Sequence, residues 1–102
     1  MWTADNEFQV LEAPERLDAE SRLEFRQAAL DRLEHVAQHT GTRLTIDFLR
    51  TTLVDATGIG ILVFLQKRAR ERSIAIRLTH VPPVVKQILE LTNLGHLFQI
   101  EG

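Results

Sequence analysis

The residues of this sequence best suited to chemistry lie in a turn between a short apolar segment and a second, longer one. Residues 44–65 read LTIDFLRTTLVDATGIGILVFL, which predicts a strand, a bend with Asp55, Thr57 and Gly58, and then a helix. An aspartate or threonine at the start of a helix accepts a hydrogen bond from the first backbone N–H groups. The N–H groups that remain face outward and can meet a carboxylate, a phosphate or a partner protein. The sequence therefore predicts a functional site at residues 55–60.

The two glycines of this turn must be compared with those of phosphate-binding loops. Gly58 and Gly60 bracket Ile59, but no Lys-Ser/Thr pair and no third glycine in register follows them, so the spacing is not a nucleotide-binding fingerprint. Close packing is the commoner role of a glycine here, and we expect Gly60 to let its helix approach the sheet or a neighbouring helix. No nucleotide or other cofactor is predicted.

Metal binding and catalysis need clusters of side chains that this sequence does not supply. His35 and His39 are four apart on a predicted helix, but no glutamate stands between them as in an H-E-x-x-H zinc motif. A cationic histidine near a helix C-terminus is the commoner explanation. His80 and His96 have no serine or carboxylate partner in sequence, and cysteine is absent. We therefore predict no catalytic residue and no metal site.

The segments around the turn alternate between strand and helix patterns. The first helix should begin after a loop whose Asp18 can cap it, and it should end at Gly41 in the left-handed conformation. Residues 44–49 read as a strand buried on both faces. Such alternation predicts an α/β fold in which helical crossovers join parallel strands. The predicted strands cover residues 8–11, 44–49, 74–78 and 97–100, and the predicted helices cover residues 19–39, residues 57–72 and a segment after Pro82 and Pro83.

The composition of the chain excludes several classes of protein. With 102 residues, of which 44% are hydrophobic and 25% charged, the chain is long enough for one core, and we expect a single domain over residues 1–102. A net charge of −2 gives little support to nonspecific binding of nucleic acid. The longest apolar run is far shorter than the roughly 20 residues needed to span a bilayer, and the polar, acidic start does not resemble a signal peptide. We expect a cytoplasmic protein without membrane insertion.

Two features of the basic residues stand out in the sequence. Five of the twelve basic residues fall within residues 67–77, and this run fits either a solvated helix face or a docking patch. Arg26 falls inside the apolar stripe of the first helix, where its stem can snorkel to the surface or its guanidinium group can meet a carboxylate such as that of Asp47. The stripe itself consists of Leu23, Phe25, Ala29, Leu30, Leu33, Val36 and Ala37.

Four segments of the chain carry a family resemblance. The sequence VDATGIG at residues 54–60 resembles the V/I-D-S-S/T-G-L/I-G signature of STAS domains, the bacterial anti-sigma factor antagonists and their relatives. Residues 16–18 (RLD) stand where that family has an E-L-D loop. Residues 82–91 (PPVVKQILEL) are similar to its P-x-V-x-x-x-L-E-L helix, and residues 93–98 (NLGHLF) are similar to its closing G-L-x-x-L-F. The likeness covers nearly the whole chain from about Leu11.

This resemblance implies a fold, a function and a binding surface. The fold is a small mixed β-sheet of four or five strands with helices packed mainly on one face. The function is to bind an anti-sigma factor, often a serine kinase, until phosphorylation of a serine in the turn ends the binding. Here Ala56 occupies the position of that serine, which leaves Thr57 as the candidate acceptor. The partner-binding residues that the resemblance implies are Asp18, Asp55, Ala56, Thr57, Gly58 and Gly60.

Three functions stay open at this point. The first is an antagonist in a partner-switching pathway, either constitutive or switched at Thr57. The second is a STAS subunit of a larger assembly, such as a stressosome-like scaffold or an accessory subunit of a lipid-transport ABC system. The third, a small enzyme or nucleotide-binding protein, is disfavoured because no triad, metal set or phosphate loop is present. The partner and the oligomeric state stay open. Because parallel strands place the loops that follow them at one sheet edge, residues 55–60 and the loop at Asp18 should lie together on one exposed surface.

Overall fold

The computed structural model describes residues 9–101. The strands within this range are β1 (Val10–Glu12), β2 (Arg16–Leu17), β3 (Arg43–Asp47), β4 (Leu53–Val54), β5 (Ala75–Thr79) and β6 (Gln99–Ile100). The helices are α1 (Arg22–Gln38), α2 (Ala56–Glu71) and α3 (Pro83–Leu91), and a 3₁₀ turn covers Gly95–Leu97. Every predicted element is found, with ends that differ by a few residues, and Phe8 of the first predicted strand lies outside the described residues. Strands β2 and β4 are additional to the prediction.

The strands form two sheets with parallel pairing. Strands β1, β3, β5 and β6 make a four-stranded sheet in the order β1-β3-β5-β6, and β2 pairs with β4 in a separate two-stranded sheet. All strand pairs within residues 9–101 are parallel, so the antiparallel component expected of a mixed sheet is not found in this part of the chain. Helix α1 crosses over before β3 and helix α2 before β5, as parallel neighbours require. Strand β6 lies at the sheet edge, as predicted.

The main sheet buries one of its faces. Leu44, Ile46 and Phe48 are fully buried, whereas Thr45 and Asp47 between them are half-buried. Strand β5 alternates in the same way, and α1 and α2 contact β3 and β5 respectively. The prediction that residues 44–49 are buried on both faces is therefore wrong, because their polar members mark a face that α1 and α2 do not cover. The predicted α/β fold with helices mainly on one face is confirmed.

Helices α1 and α2 pack side by side. Leu23 is 61% exposed and does not belong to this packing, contrary to prediction, because it lies two positions before the buried Phe25 and thus about 200° around the helix. In the first half of α2, Ile59 and Ile61 are only partly buried, so this half is not enclosed on every side. No helix within residues 9–101 combines the length and apolar character needed to cross a membrane. The buried residues are Phe25, Ala29, Leu33 and Val36 in α1, and Gly58, Leu62, Leu65 and Ala69 in α2.

The three helices within residues 9–101 end with the same backbone motif. Thr40, Ser73 and Asn93 follow α1, α2 and α3 and have positive φ angles of 57°, 58° and 61°. The next N–H group then donates to the carbonyl oxygen five positions earlier, at 2.8 Å for Gly41 to Val36, 2.9 Å for Ile74 to Ala69 and 2.8 Å for Leu94 to Leu89. These bonds define a Schellman motif. The left-handed residue after α1 is thus Thr40, and the prediction of Gly41 is wrong.

Candidate functional site

The two-stranded sheet joins the loop at Asp18 to the turn before α2. Strands β2 and β4 run parallel, with Leu17 opposite Val54. The N–H of Asp55 donates to the carbonyl oxygen of Leu17 at 3.3 Å. Because both strands end at the same edge, Asp18 and Asp55 follow them side by side. The prediction that these two loops lie close together is confirmed.

Asp55 is the N-cap of α2. Its backbone is extended (φ −98°, ψ −171°), and its Oδ1 accepts a hydrogen bond from the N–H of Gly58 at 2.9 Å. Such a cap contributes about 1 kcal/mol to helix stability. Ala56 is the first helical residue and is exposed, and Thr57 beside it is half-buried. Because Asp55 makes the cap, the hydroxyl group of Thr57 is not required for it.

Gly58 sets how closely α2 approaches the loop at Asp18. A Cβ atom at Gly58 would lie 2.5 Å from the carbonyl oxygen of Leu17 and 2.8 Å from Cγ1 of Val54. Both distances are below normal van der Waals contact, so a larger residue requires the backbone of β2 to move. At Gly60, by contrast, nothing lies within 4 Å of a Cβ position. The prediction that Gly60 is the packing glycine is wrong, because Gly58 faces β2 and Gly60 points about 200° away from it.

Asp18 organises its own loop and does not cap α1. Its Oδ1 accepts hydrogen bonds from the N–H groups of Glu20 at 3.1 Å and Ser21 at 3.3 Å. Its Oδ2 accepts one from Nε of Arg16 at 3.2 Å. Ser21 closes the loop, since its Oγ donates to the carbonyl oxygen of Arg16 at 2.6 Å. Helix α1 begins at Arg22 without a side-chain cap, so the predicted capping role of Asp18 is wrong.

The carboxyl group of Asp18 carries a stable negative charge. Burial opposes that charge, since the side chain is only 12% exposed, but the hydrogen bonds from Arg16 and from two backbone N–H groups outweigh it. Together they hold the pKa of Asp18 below its ordinary value of 3.8. The neighbouring N-terminus of α2 favours a negative charge as well. The site therefore combines an ordered carboxylate with the start of a helix.

Two large apolar side chains are exposed between β3 and the turn. Leu53, in the strand before the turn, is 39% exposed, and Leu49, in the loop between β3 and β4, is 66% exposed. That loop is held in place by Thr51, whose Oγ1 donates to the carbonyl oxygen of Pro14 at 2.8 Å. Exposed apolar residues are typical of surfaces that bind other proteins.

A carboxylate–histidine pair lies at the ends of β3 and β5 and was not predicted. The Oδ1 of Asp47 contacts Nδ1 of His80 at 2.7 Å and accepts a hydrogen bond from Oγ1 of Thr79 at 3.1 Å. Burial raises the pKa of Asp47, but these hydrogen bonds outweigh it and lower the pKa below 3.8. The register of the sheet pairs Asp47 with Thr79, and only this register reveals the contact.

Arg26 packs on Phe64 instead of pairing with Asp47, so the second of its two predicted alternatives is wrong. Its guanidinium carbon lies 4.6 Å from the centre of the Phe64 ring on α2. This is a cation–π geometry, worth about 0.5–1 kcal/mol at an exposed site. Arg26 lies about 100° around α1 from the buried Phe25, and it therefore faces the neighbouring helix rather than the sheet.

The basic run at residues 67–77 is partly neutralised by ion pairs. These pairs join Arg68 to Glu71 at 3.5 Å, Arg72 to Glu34 at 2.7 Å, and Arg77 to Glu101 at 2.9 Å. The hydrogen bond from Arg72 lowers the pKa of Glu34. Exposed pairs of this kind contribute little to stability, because water and salt screen them. They support a solvated helix face for Arg68, Arg72 and Arg77.

The histidines of α1 interact with each other. The rings of His35 and His39 stack with their centres 4.1 Å apart, and Nδ1 of His39 lies 2.9 Å from the carbonyl oxygen of His35. Within residues 9–101 no group of three or more histidine, aspartate or glutamate side chains is arranged to hold a metal ion.

Comparison with known sequences identifies the family. A family profile described as "Mlab, STAS domain" matches residues 2–99. The chain is 30% identical over 98 residues to a STAS-domain-containing protein of Pseudomonas aeruginosa (strain UCBPP-PA14), and the match covers 96% of this chain and 92% of that protein.

Solved structures share the fold. TM1081 of Thermotoga maritima, described as a proposed anti-sigma factor antagonist, superposes with a TM-score of 0.75 at 20% identity, over 92% of this chain and 80% of that one. The anti-sigma factor antagonist SpoIIAA in its unphosphorylated form superposes with a TM-score of 0.70 at 18% identity, over 89% and 76% of the two chains. The sequence match, the shared fold and the turn before α2 agree, and the chain belongs to the STAS domain family.

Proposed function

We propose that this protein is a non-catalytic binding module that docks a partner protein through the turn at residues 55–60 together with the loop at Asp18. The observation that carries the proposal is the exposed Ala56 at the first position of α2, beside the ordered carboxylate of Asp18. Leu53 is exposed in β4, the strand paired with the one that precedes Asp18, and supplies apolar contact area.

The first candidate partner is an anti-sigma factor of the serine-kinase type. The family resemblance and the similarity of fold to anti-sigma factor antagonists support this partner. In this role the protein sequesters the kinase in the cytoplasm and so regulates transcription through partner switching. The position at which the family carries its phosphorylated serine is Ala56, and a methyl side chain cannot accept a phosphoryl group. Binding would then be constitutive, unless Thr57 takes over as acceptor.

A second candidate function is favoured by the same alanine. A protein that lacks the usual acceptor is suited to a permanent place in a larger assembly, where release by phosphorylation is not required. The candidates are a stressosome-like scaffold and an accessory subunit that docks on the ATPase of a lipid-transport ABC system. Genes for a kinase-like anti-sigma factor beside the gene of this protein favour the first candidate, and transporter genes favour the second.

The substitution Ala56→Asp tests the shared docking surface. We expect it to weaken the complex with the cognate kinase or ATPase at least tenfold, about 1.4 kcal/mol, because it places a second, desolvated charge in the interface beside Asp18. The fold should survive, because a carboxylate at a helix N-terminus is locally favourable.

The matched control is Gln87→Asp, which adds the same charge to an exposed position of α3. Calorimetry or surface plasmon resonance measures both affinities, and circular dichroism checks the fold. An unchanged affinity in Ala56→Asp removes this surface from the interface.

A further inference from the structure

The packing of α1 against α2 sets residues of the two helices level with each other. Arg26 lies against Phe64, and Glu34 pairs with Arg72, with the same separation of 38 positions in both contacts. Both helices rise by the same amount per residue, so a constant separation means that they run in step and in the same direction. The same separation sets Leu23 level with the second turn of α2. The helices therefore form a continuous groove that begins beside the turn at residues 55–60.

The half of this groove nearest the turn carries positive charge around one aromatic ring. The guanidinium carbons of Arg26 and Arg68 lie 4.6 Å and 5.7 Å from the centre of the Phe64 ring. Among residues 9–101, neither Arg26 nor the exposed Lys67 forms an ion pair with a carboxylate. The whole chain has a net charge of −2, so this concentration of cations is not a property of its average surface.

In the other half of the groove, the positive charges are already neutralised by carboxylates of the protein. A cavity of about 170 Å³ lies there between the helices and is lined by Leu30, Leu33, Glu34, Arg68, Glu71 and Arg72. Its guanidinium groups pair with its own carboxylates, Arg72 with Glu34 at 2.7 Å and Arg68 with Glu71 at 3.5 Å. An external anion gains little in this half, because it would have to displace these pairs.

We propose that the half nearest the turn, defined by Leu23, Arg26, Phe64 and Lys67 and named the basic groove, binds an acidic segment of the partner protein. This inference rests on the proposed function and extends its binding surface along the two helices. Guanidinium groups present a planar fork of donors that matches a carboxylate, and stacking on Phe64 orients that fork. Leu23 is 61% exposed and offers an apolar contact beside the charges. A segment with two or more carboxylates near an apolar side chain complements both features.

Photo-crosslinking within the cell tests this proposal. The full-length chain is produced in its native cell with benzoylphenylalanine in place of Leu23, and the crosslinked peptide is identified by mass spectrometry. We expect a covalent adduct with a partner protein, at a segment that contains at least two aspartate or glutamate residues. The substitution Arg26→Glu combined with Lys67→Glu should reduce that adduct at least tenfold. Two controls define the background: benzoylphenylalanine at Leu91, a leucine of α3 that is 78% exposed, and the charge reversals Arg43→Glu and Lys86→Glu at exposed positions elsewhere.

Each alternative outcome contradicts the basic groove as assigned. A lipid adduct would indicate an anionic membrane, an adduct with the same chain would indicate a dimer, and an adduct insensitive to Arg26→Glu and Lys67→Glu would remove the electrostatic argument. A parallel experiment with benzoylphenylalanine at Ala56 separates this inference from the proposed function. An adduct from Ala56 without one from Leu23 refutes only the basic groove, and adducts from neither position refute both.

Discussion

Two glycines of α2 provide a matched test of how tightly the turn is packed. Gly58→Ala places a methyl group 2.5 Å from the carbonyl oxygen of Leu17 and 2.8 Å from Val54, and the first of these atoms belongs to the backbone. Gly60→Ala places the same methyl group in open space, two residues further along the same helix. The two substitutions therefore make the same chemical change in opposite surroundings.

The packing distances determine the expected sign of each change. Overpacking costs about 1–3 kcal/mol, and displacement of β2 also strains the hydrogen bond from Asp55 to Leu17, worth about 1 kcal/mol. The higher helix propensity of alanine offsets at most about 1 kcal/mol of this loss of stability. We expect Gly58→Ala to lower the free energy of unfolding by about 1–3 kcal/mol. Gly60→Ala should raise it by about 0.5–1 kcal/mol, because only the propensity changes.

Equilibrium unfolding in urea, followed by far-ultraviolet circular dichroism, measures both free energies. Each kilocalorie should also shift the melting temperature by roughly 4 °C or more in a domain of this size. The reasoning fails if Gly58→Ala is neutral or stabilising, because the close approach of α2 to β2 would then not constrain the turn. It also fails if the two variants change stability in the same direction.

Three further predictions concern the carboxylates and the hydroxyl of the site. Asp55→Ala should lower the free energy of unfolding by about 1 kcal/mol through loss of the helix cap, while Asp55→Asn should keep most of it; equal stability of the alanine variant and the wild type would contradict the cap. The wild type, incubated with the cognate kinase and ATP, should gain no phosphate on Thr57, whereas Ala56→Ser should be phosphorylated and released; stoichiometric phosphate on Thr57 in a mass spectrum would restore the ordinary switch. The folded protein lowers the pKa values of Asp18 and Asp47 below 3.8, so their stabilisation is complete above the unfolded pKa and is lost as the pH falls through the folded pKa. Asp47→Asn should therefore flatten the fall in stability below about pH 4, and an unchanged acid limb in chemical denaturation would show that this carboxylate makes no contribution.

Local patterns were sufficient to predict the main elements and the turn. Residues within one segment are enough to form the apolar strands, the amphipathic α1 and α3 with its leading prolines. The cap of α2 is local as well, because Asp55 accepts its hydrogen bond from Gly58, only three positions away. The remaining features could not be predicted, because they depend on contacts between residues that are far apart in the sequence. Strands β2 and β4 have two residues each, which is too short for any periodicity, although they fix Asp18 beside the turn.

The wrong assignments share one physical cause. Whether Gly58 or Gly60 packs depends on which side of α2 faces β2, and whether Asp47 meets Arg26 or His80 depends on the sheet register. Both are tertiary facts that the composition of a segment does not contain. Leu23 is a similar case, since an apolar residue on the outer side of a helix reads as core until the helix orientation is known.

The three Schellman motifs have a consequence for protein engineering. Thr40 and Ser73 hold a left-handed backbone without the freedom of glycine, a strain of roughly 1 kcal/mol for a residue with a Cβ atom, whereas Asn93 adopts this conformation more readily. All three follow helices that run back to the amino-terminal edge of the parallel sheet, opposite the edge that carries the turn. Glycine at these positions offers a thermostable background that leaves the binding surface intact. Libraries that diversify residues 55–60 can start from that background, because it tolerates costly substitutions that would unfold the native sequence.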